Sequence, residues 1–314
     1  MKFSLVIPVY NRPEEIDELL ESLTKQKDFQ QKFEIVVVED GSENSSEEVV
    51  KKYENQLNVQ YFFKENTGAG QSRNYGMQRA KGDYFIILDS DCIIPEMYLY
   101  HVSQTLKKQY TDAFGGPDAA HKSFTMLQKA INYSMTSLLT TGGIRGKKNG
   151  IGKFQLRSFN MGISKKAFQK TKGFSKMKYG EDIDMTFRLW ENGFKTQLIP
   201  SAYVFHKRRS TIKAFFKQTF NFGTARPILN KKYPESAKLT FWFPSLFVLF
   251  SVFAAICSLF KFFVPFQFIG IYLAFNFFAA TMMNKNALVG FLAVITTIVQ
   301  FFGYGLGFLK SKLF

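Results

Sequence analysis

Cysteine is almost missing from this 314-residue chain: Cys92 and Cys257 are the only two. A disulfide framework is thereby improbable, which suits a reducing compartment. Histidine is nearly as scarce, with three copies, and no zinc-ligand spacing is formed. Cys92 has no histidine close by in sequence, so a buried structural thiol is expected there rather than thiol chemistry. The opening stretch, MKFSLVIPVYNRPEE, holds too short an apolar run for a signal peptide, and Pro8 interrupts it. It reads as a strand. Acidic residues are absent from 239–314, which carry four Lys and no Arg. Residues 1–238 therefore hold 37 basic against 25 acidic groups, and 201–238 alone hold nine Lys/Arg against one Glu. Basicity just ahead of an apolar tail points to an anionic membrane surface. Nucleic acid is disfavoured, because no helix-turn-helix cue or RNA-binding aromatic signature is present.

What the chain does contain is an alternation of short apolar runs and helical patterns. Phe3 to Val9 reads as a strand. Pro13, Glu14 and Glu15 open a helix whose Ile16, Leu19, Leu20 and Leu23 recur at helical spacing. Glu34 to Val38 is a second strand, followed by Glu39-Asp40-Gly41-Ser42 and a helix over about 45–53. Val59 to Phe63 is a third, then Asn66-Thr67-Gly68-Ala69-Gly70 and a helix through Arg73, Asn74 and Gln78. This order predicts a doubly wound α/β unit with a mostly parallel central sheet. Gly68-x-Gly70 lacks the third glycine of a dinucleotide fingerprint and follows the third strand, so that fold is rejected. The glycines instead let the backbone turn sharply near a phosphate, with Arg73 as counter-charge.

The chain is organised around the next strand. Tyr84 to Leu88 is wholly apolar, as in a strand buried on both faces. Asp89-Ser90-Asp91 follows at its C-terminal end, where open parallel sheets bind ligands. Residues one and three of an extended turn point the same way, so both carboxylates are expected to converge. Two hard oxygen ligands there suit Mg²⁺ or Mn²⁺ shared with a diphosphate. Capping of the next helix is the bland alternative.

Beyond residue 92 the pattern thins. Phe114 to Pro117 reads as a strand entering a turn, and residues 140–153 as a Gly- and Lys-rich surface loop. A helix from Glu181 sets Ile183, Phe187 and Trp190 on one face and ends at Gly193. Asp182 stands in its first turn, where the helix dipole favours a carboxylate, although plain capping explains it equally well. Leu198 to Phe205 reads as a strand ending at His206. That histidine is a metal or phosphate ligand only if its strand end approaches Asp91. From Thr211 an amphipathic helix sets Phe215, Phe216 and Phe220 against Lys213 and Lys217, which suits a membrane interface. Packing on the protein's own core is the competing reading. Residues 239–260, 262–283 and 287–309 are apolar runs with Lys261 and Lys285 only at their junctions. At ~1.5 Å rise per residue each matches the ~30 Å hydrocarbon core. Two or three of them cross, with the N-terminal domain on the cytoplasmic side.

Over residues 3–226 the ordered motifs resemble family 2 glycosyltransferases, inverting enzymes of GT-A fold, here with C-terminal transmembrane helices. Those motifs are Ser4 to Asn11, Glu39-Asp40-Gly41-Ser42, Asn66-x-Gly68, Arg73-Asn74, Asp89-x-Asp91, Phe159-Asn160 and Glu181-Asp182. The resemblance implies that Pro8, Tyr10, Glu39 and Asp40 line the base and ribose of a nucleotide-sugar donor, with Arg73 near. It implies that Asp89 touches ribose or diphosphate, that Asp91 binds Mg²⁺ or Mn²⁺ with His206 close, and that Asp182, beside Glu181, is the catalytic base. Glu39 departs from the usual Asp of its pair. The Gln-x-x-Arg-Trp motif of processive synthases is missing, which argues against cellulose- or hyaluronan-like polymerisation.

The expected organisation is a catalytic domain over 1–210, a basic interfacial segment over 211–238 and a membrane domain over 239–314. The expected activity is transfer from a nucleotide sugar, with UDP the prior, to a hydroxyl on a glycan or lipid-linked acceptor. Assembly of cell-surface polysaccharide or glycolipid at the inner membrane would be its setting. Transfer to a polyprenyl phosphate ranks second, because an anionic acceptor leaves Asp182 no proton to take. A non-catalytic nucleotide-binding membrane protein ranks third.

Overall fold

The computed structural model describes residues 1–119, 121, 123–141 and 151–313. The chain divides into two compact units, one of residues 1–121 with 148–206 and one of residues 122–147 with 207–314.

The first unit begins with β1 (Phe3–Val9), α1 (Pro13–Thr24), β2 (Glu34–Asp40), α2 (Glu47–Lys51), β3 (Val59–Lys64), α3 (Ala69–Arg79) and β4 (Tyr84–Leu88). Every residue of β1, β2 and β4 is buried, because helices cover both faces of the parallel sheet. Each interior Val, Leu or Ile contributes about 1.5–3 kcal/mol through burial. A polar clasp pins the register. Glu34 is 1% exposed, and its carboxylate accepts from the Ser4 hydroxyl (2.5 Å) and from the backbone N–H groups of Lys81 and Gly82. Ser4 and Glu34 are themselves register partners across β1 and β2.

β5 (Cys92–Ile93), α4 (Tyr98–Lys108), β6 (Ala113–Gly115) and β7 (Asp118–Ala119) follow. The second unit then contributes α5 (Met126–Thr136) and α6 (Leu138–Thr141). The chain returns to the first unit with β8 (Ile151–Gly152), β9 (Asn160–Ser164), α7 (Lys165–Thr171), α8 (Glu181–Glu191), β10 (Thr196–Leu198) and β11 (Val204–His206). Most of the loop expected over 140–153 lies outside the described residues. The main sheet has eight strands in the order β3-β2-β1-β4-β9-β6-β10-β8. Its left half is parallel, and β9 enters antiparallel between β4 and β6. A second sheet of three strands runs β5-β11-β7.

One expectation is corrected here. The strand expected over 198–205 is two short strands in different sheets. Pro200 cannot donate to a ladder, and the chain turns there, with Ala202 N–H bonded to Ile199 C=O. On α8 Ile183, Phe187 and Trp190 share one face as expected, with Phe187 and Trp190 packed at 5.4 Å and half-buried, while Met185 and Leu189 on the other side enter the core.

The second unit continues with α9 (Ile212–Lys232), two short 3₁₀ turns, α10 (Phe243–Leu259), α11 (Val264–Asn284) and α12 (Ala287–Leu313). Together with the turn that precedes α10, these last three elements give three helices long and apolar enough to cross a membrane. α9 lies directly on α12. A Cβ at Gly303 would come within 2.1 Å of Thr219 Oγ1, and one at Gly307 within 2.2 Å of Phe220 C=O. Only glycine permits so close a backbone approach.

Candidate active site

The ends of β1, β2 and β4 share one edge of the sheet, because the three strands are parallel neighbours. β9 runs the other way, so its start at Asn160, the register partner of Leu88, reaches the same edge. Asp89 and Asp91 stand there. Their carboxylates take different partners. Residues 89–92 form a turn closed by Cys92 N–H to Asp89 C=O (3.2 Å), which breaks the two-residue alternation.

Asp89 instead accepts from Arg73 Nη2 at 2.7 Å, while Nη1 of the same arginine donates to Glu181 at 3.0 Å. One guanidinium therefore joins the end of β4 to the first turn of α8, 92 positions later in the chain. Arg73, expected to face a phosphate, is 3% exposed and stacks on Phe174 at 5.3 Å. Its neighbour Asn74 holds the loop before α8 by bonding both the C=O and the N–H of Phe174.

Asp182 follows Glu181 in that first turn. Its Oδ1 accepts from Ile183 N–H (2.8 Å), and its Oδ2 stands 4.0 Å from Arg157 Nη1. Gly180, at φ +79°, supplies the left-handed turn that starts the helix there. Burial raises the Glu181 carboxyl, the negative Asp182 raises it further and Arg73 offsets part of this, leaving it at about 7. The folded chain thus holds this proton more tightly than the unfolded chain does. The resulting stability is complete below the ordinary glutamate range and disappears as pH rises through about 7. Glu181→Gln is expected to flatten the fall of the melting temperature between pH 5 and pH 8, with roughly 1.4 kcal/mol per pKa unit as the scale. Identical slopes for both proteins would dismiss this origin.

Asp91 is reached from two sides. Arg12 Nη1 pairs with Oδ2, and His206 Nε2 lies 3.1 Å from Oδ1. Burial acts to raise this carboxyl, but His206 and Arg12 outweigh it and hold it well below the usual carboxylate range. The condition set on His206 by the sequence is met through sheet pairing, since His206 is the register partner of Cys92 across β5 and β11. Phe159 stacks on its ring at 4.8 Å and 18°.

The Asp91 and His206 pair fits a divalent cation. Asp91 Oδ1 is buried, and its neighbour at 3.1 Å, His206 Nε2, does not meet it in hydrogen-bond geometry. A cation with bonds of ~2.1 Å at right angles sets adjacent donor atoms about 3 Å apart, which matches the 3.1 Å seen here. Cys92 completes a cluster of three candidate ligands within 4.8 Å. Burial keeps its thiol protonated, as do the nearby aspartates, and soft sulfur is a poor match for Mg²⁺ or Mn²⁺. His206 Nδ1 has no partner among the described residues, so no outer hydrogen bond fixes its tautomer.

With this geometry in place, the comparisons decide the family. The model of glycosyl transferase family 2 matches residues 4–171. This chain belongs to that family. Among curated relatives, a poly(ribitol-phosphate) beta-N-acetylglucosaminyltransferase of Staphylococcus aureus, TarS, is 36% identical over 114 residues. That stretch is 36% of this chain and 20% of TarS, so this chain matches only a fifth of that relative's length. Among solved structures, TarS 1–349 in complex with UDP-GlcNAc superposes with TM-score 0.52 at 23% identity, over 71% of this chain and 66% of that one. A mannosyltransferase from Pyrobaculum calidifontis, solved with GDP-Man and Mn²⁺, gives TM-score 0.62 at 14% identity, over 99% and 87%. At these identities the structures establish the GT-A fold.

The remaining family motifs are distributed unevenly in this GT-A unit. Tyr10 is half-exposed at 50%, whereas Pro8 lies inside β1. Glu39 is fully buried, and its oxygens take Ser42 Oγ, Ser46 N–H and Tyr61 OH. Asp40 is 3% exposed and takes Lys64 together with the N–H groups of Thr67 and Gly68. Both acids of that pair thus anchor loops around the expected nucleotide position. Sequence reasoning passed over Arg12 and Arg157. Each lies far along the chain from the aspartate it meets, and nothing in the local pattern separates it from a surface arginine.

Proposed function

We propose that the first unit transfers a sugar from a nucleotide-sugar donor to a hydroxyl acceptor with inversion, and that the second unit holds it at a membrane. The observation that carries this reading is the Arg73 bridge, because it gathers Asp89, Glu181 and Asp182 at the sheet edge where Asp91 and His206 stand. Asp91 and His206 would hold Mg²⁺ or Mn²⁺. Such a cation supplies Lewis-acid stabilisation of the departing diphosphate. Asp182 takes the proton of the incoming hydroxyl through Oδ2, which accepts no hydrogen bond among the described residues. Arg73 keeps Glu181 and Asp89 from swinging into that space. Arg12 supplies a second positive group near the diphosphate once the donor arrives.

UDP is the proposed nucleotide, and a glycan or lipid-linked hydroxyl the proposed acceptor. The experiment that tests this is a nucleotide-sugar panel offered to the detergent-solubilised chain with Mn²⁺ or Mg²⁺, scored by release of nucleoside diphosphate. Release from none of the donors would end the proposal.

The cation assignment makes its own prediction. In the wild-type chain, Mn²⁺ with UDP at ~100 times Kd is expected to add about 2.7 kcal/mol of stability. In Asp91→Asn the metal increment is expected to vanish. An undiminished shift in the variant would remove Asp91 from the cation site.

A further inference from the structure

Of the three helices among the described residues that are long and apolar enough to cross a membrane, α12 is the longest and the most enclosed by protein. Buried residues make up 44% of its apolar window, against 22% for the segment containing α10 and 11% for α11. The helices that flank it carry charge. α5 covers its first half, where Ser134 Oγ bonds Thr296 (2.7 Å) and Thr297 (3.2 Å) and Ala130 packs on Val289 and Ala293. α9 covers its second half, where Phe216 and Thr219 meet Gly303, Phe220 meets Gly307, and Gly223 meets Tyr304 and Phe308. These pairs advance together, so α9 and α12 run parallel and in contact.

From Val289 to Phe308 the helix advances about 28 Å, nearly the ~30 Å of a hydrocarbon core. If α12 crossed, α5 and α9 would cross beside it. Beside that stretch α9 carries Lys213 and Lys217 in exposed positions, and Asn132 on α5 holds the Arg208 guanidinium at 2.9 Å. Lysines facing lipid at that depth are strongly disfavoured. The last turn of α12 also stays with α9, since Lys310 Nζ stands 5.9 Å from the Phe220 ring.

α10 and α11 are built differently. They are joined by residues 260–263, where Phe260, Phe262 and Phe263 are 80%, 51% and 55% exposed and Lys261 turns the chain at φ +58°. α12 meets α10 around Phe243, Pro244 and Val248, and meets α11 around Tyr272, Phe277 and Thr281. The α10 contacts lie at the end remote from that connection, and those of α11 run from near its middle toward its far end.

We propose that the α10–α11 hairpin alone crosses the bilayer, with its exposed phenylalanines in lipid, and that α12 lies along the membrane surface beneath α5 and α9. Lys310 and Lys312 then emerge on the side that carries α9. The proposal rests on the membrane reading given above.

The test uses single cysteines at Lys231, Lys261 and Lys312 in the full chain carrying Cys257→Ser. They are labelled with a membrane-impermeant maleimide in sealed right-side-out and inverted vesicles. The unsubstituted Cys257→Ser chain gives the background from buried Cys92. Expected is labelling of Lys231→Cys and Lys312→Cys in the same vesicle orientation and of Lys261→Cys in the opposite one. Labelling of Lys312→Cys together with Lys261→Cys would establish three crossings and overturn the proposal. Labelling of all three from one side would overturn it too, by removing the hairpin crossing. Recovery of the chain in the soluble fraction would instead overturn the membrane reading itself. A protease-sensitive tag appended after Phe314 in otherwise wild-type chain reports the same side independently of the cysteine variants.

Discussion

Asp182→Asn is expected to lower turnover by about 10²–10⁴-fold, the usual contribution of a positioned base, and to leave nucleotide affinity unchanged. The substitution is nearly isosteric, so the amide oxygen still accepts from Ile183 N–H and the first turn of α8 keeps its shape. What disappears is the basic Oδ2 beside Arg157. Steady-state kinetics with a competent acceptor and calorimetry with UDP together check this. The same variant separates two acceptor classes. A hydroxyl must lose its proton as it attacks, whereas a phosphate is already an anion. Unchanged turnover would remove Asp182 as base and bring the phosphate acceptor forward.

Arg73→Met is expected to cost about 3–5 kcal/mol of stability, the scale for removing one partner of a buried ion pair. Arg73 is 4% exposed at its side chain and faces two carboxylates, Asp89 and Glu181, which are 27% and 15% exposed. Without the guanidinium both carboxyl groups lose the donor they share, and the loop from Phe174 to Gly180 loses its stacking partner. Arg73→Lys should recover little, because a single ammonium cannot present two forked donors at fixed spacing. Arg73→Met with Glu181→Gln should recover part of the loss by removing a buried carboxyl group that has lost its donor. Thermal unfolding of the solubilised chain reads all three variants. A melting temperature for Arg73→Met within one degree of wild type would show that the bridge contributes nothing.

Much of the first unit is readable in sequence for a simple reason. A strand buried on both faces must be apolar along most of its length, so FSLVIPV, EIVVV and YFIIL each announce a parallel interior strand. Where the chain passes at the sheet's margin the signal weakens. Residues 198–205 look like one strand by composition, yet Pro200 and the turn at Ala202 divide this stretch between two sheets. α9 shows the same limit. Its amphipathic stripe was legible, but a stripe of Phe, Thr and Gly does not state whether lipid or α12 covers it.

The candidate site divides along the same line. Sequence alone determined that Asp89 and Asp91 end an interior strand and that Asp182 opens a helix, because both statements depend on local periodicity. Tertiary structure decided the partners. β5 pairing with β11 carries His206 to Asp91, the α3 arginine reaches both Asp89 and Glu181, and Arg12 arrives from the loop after β1. Such contacts join residues 16 to 115 positions apart, and no local pattern encodes which charge will meet which once the sheet has closed.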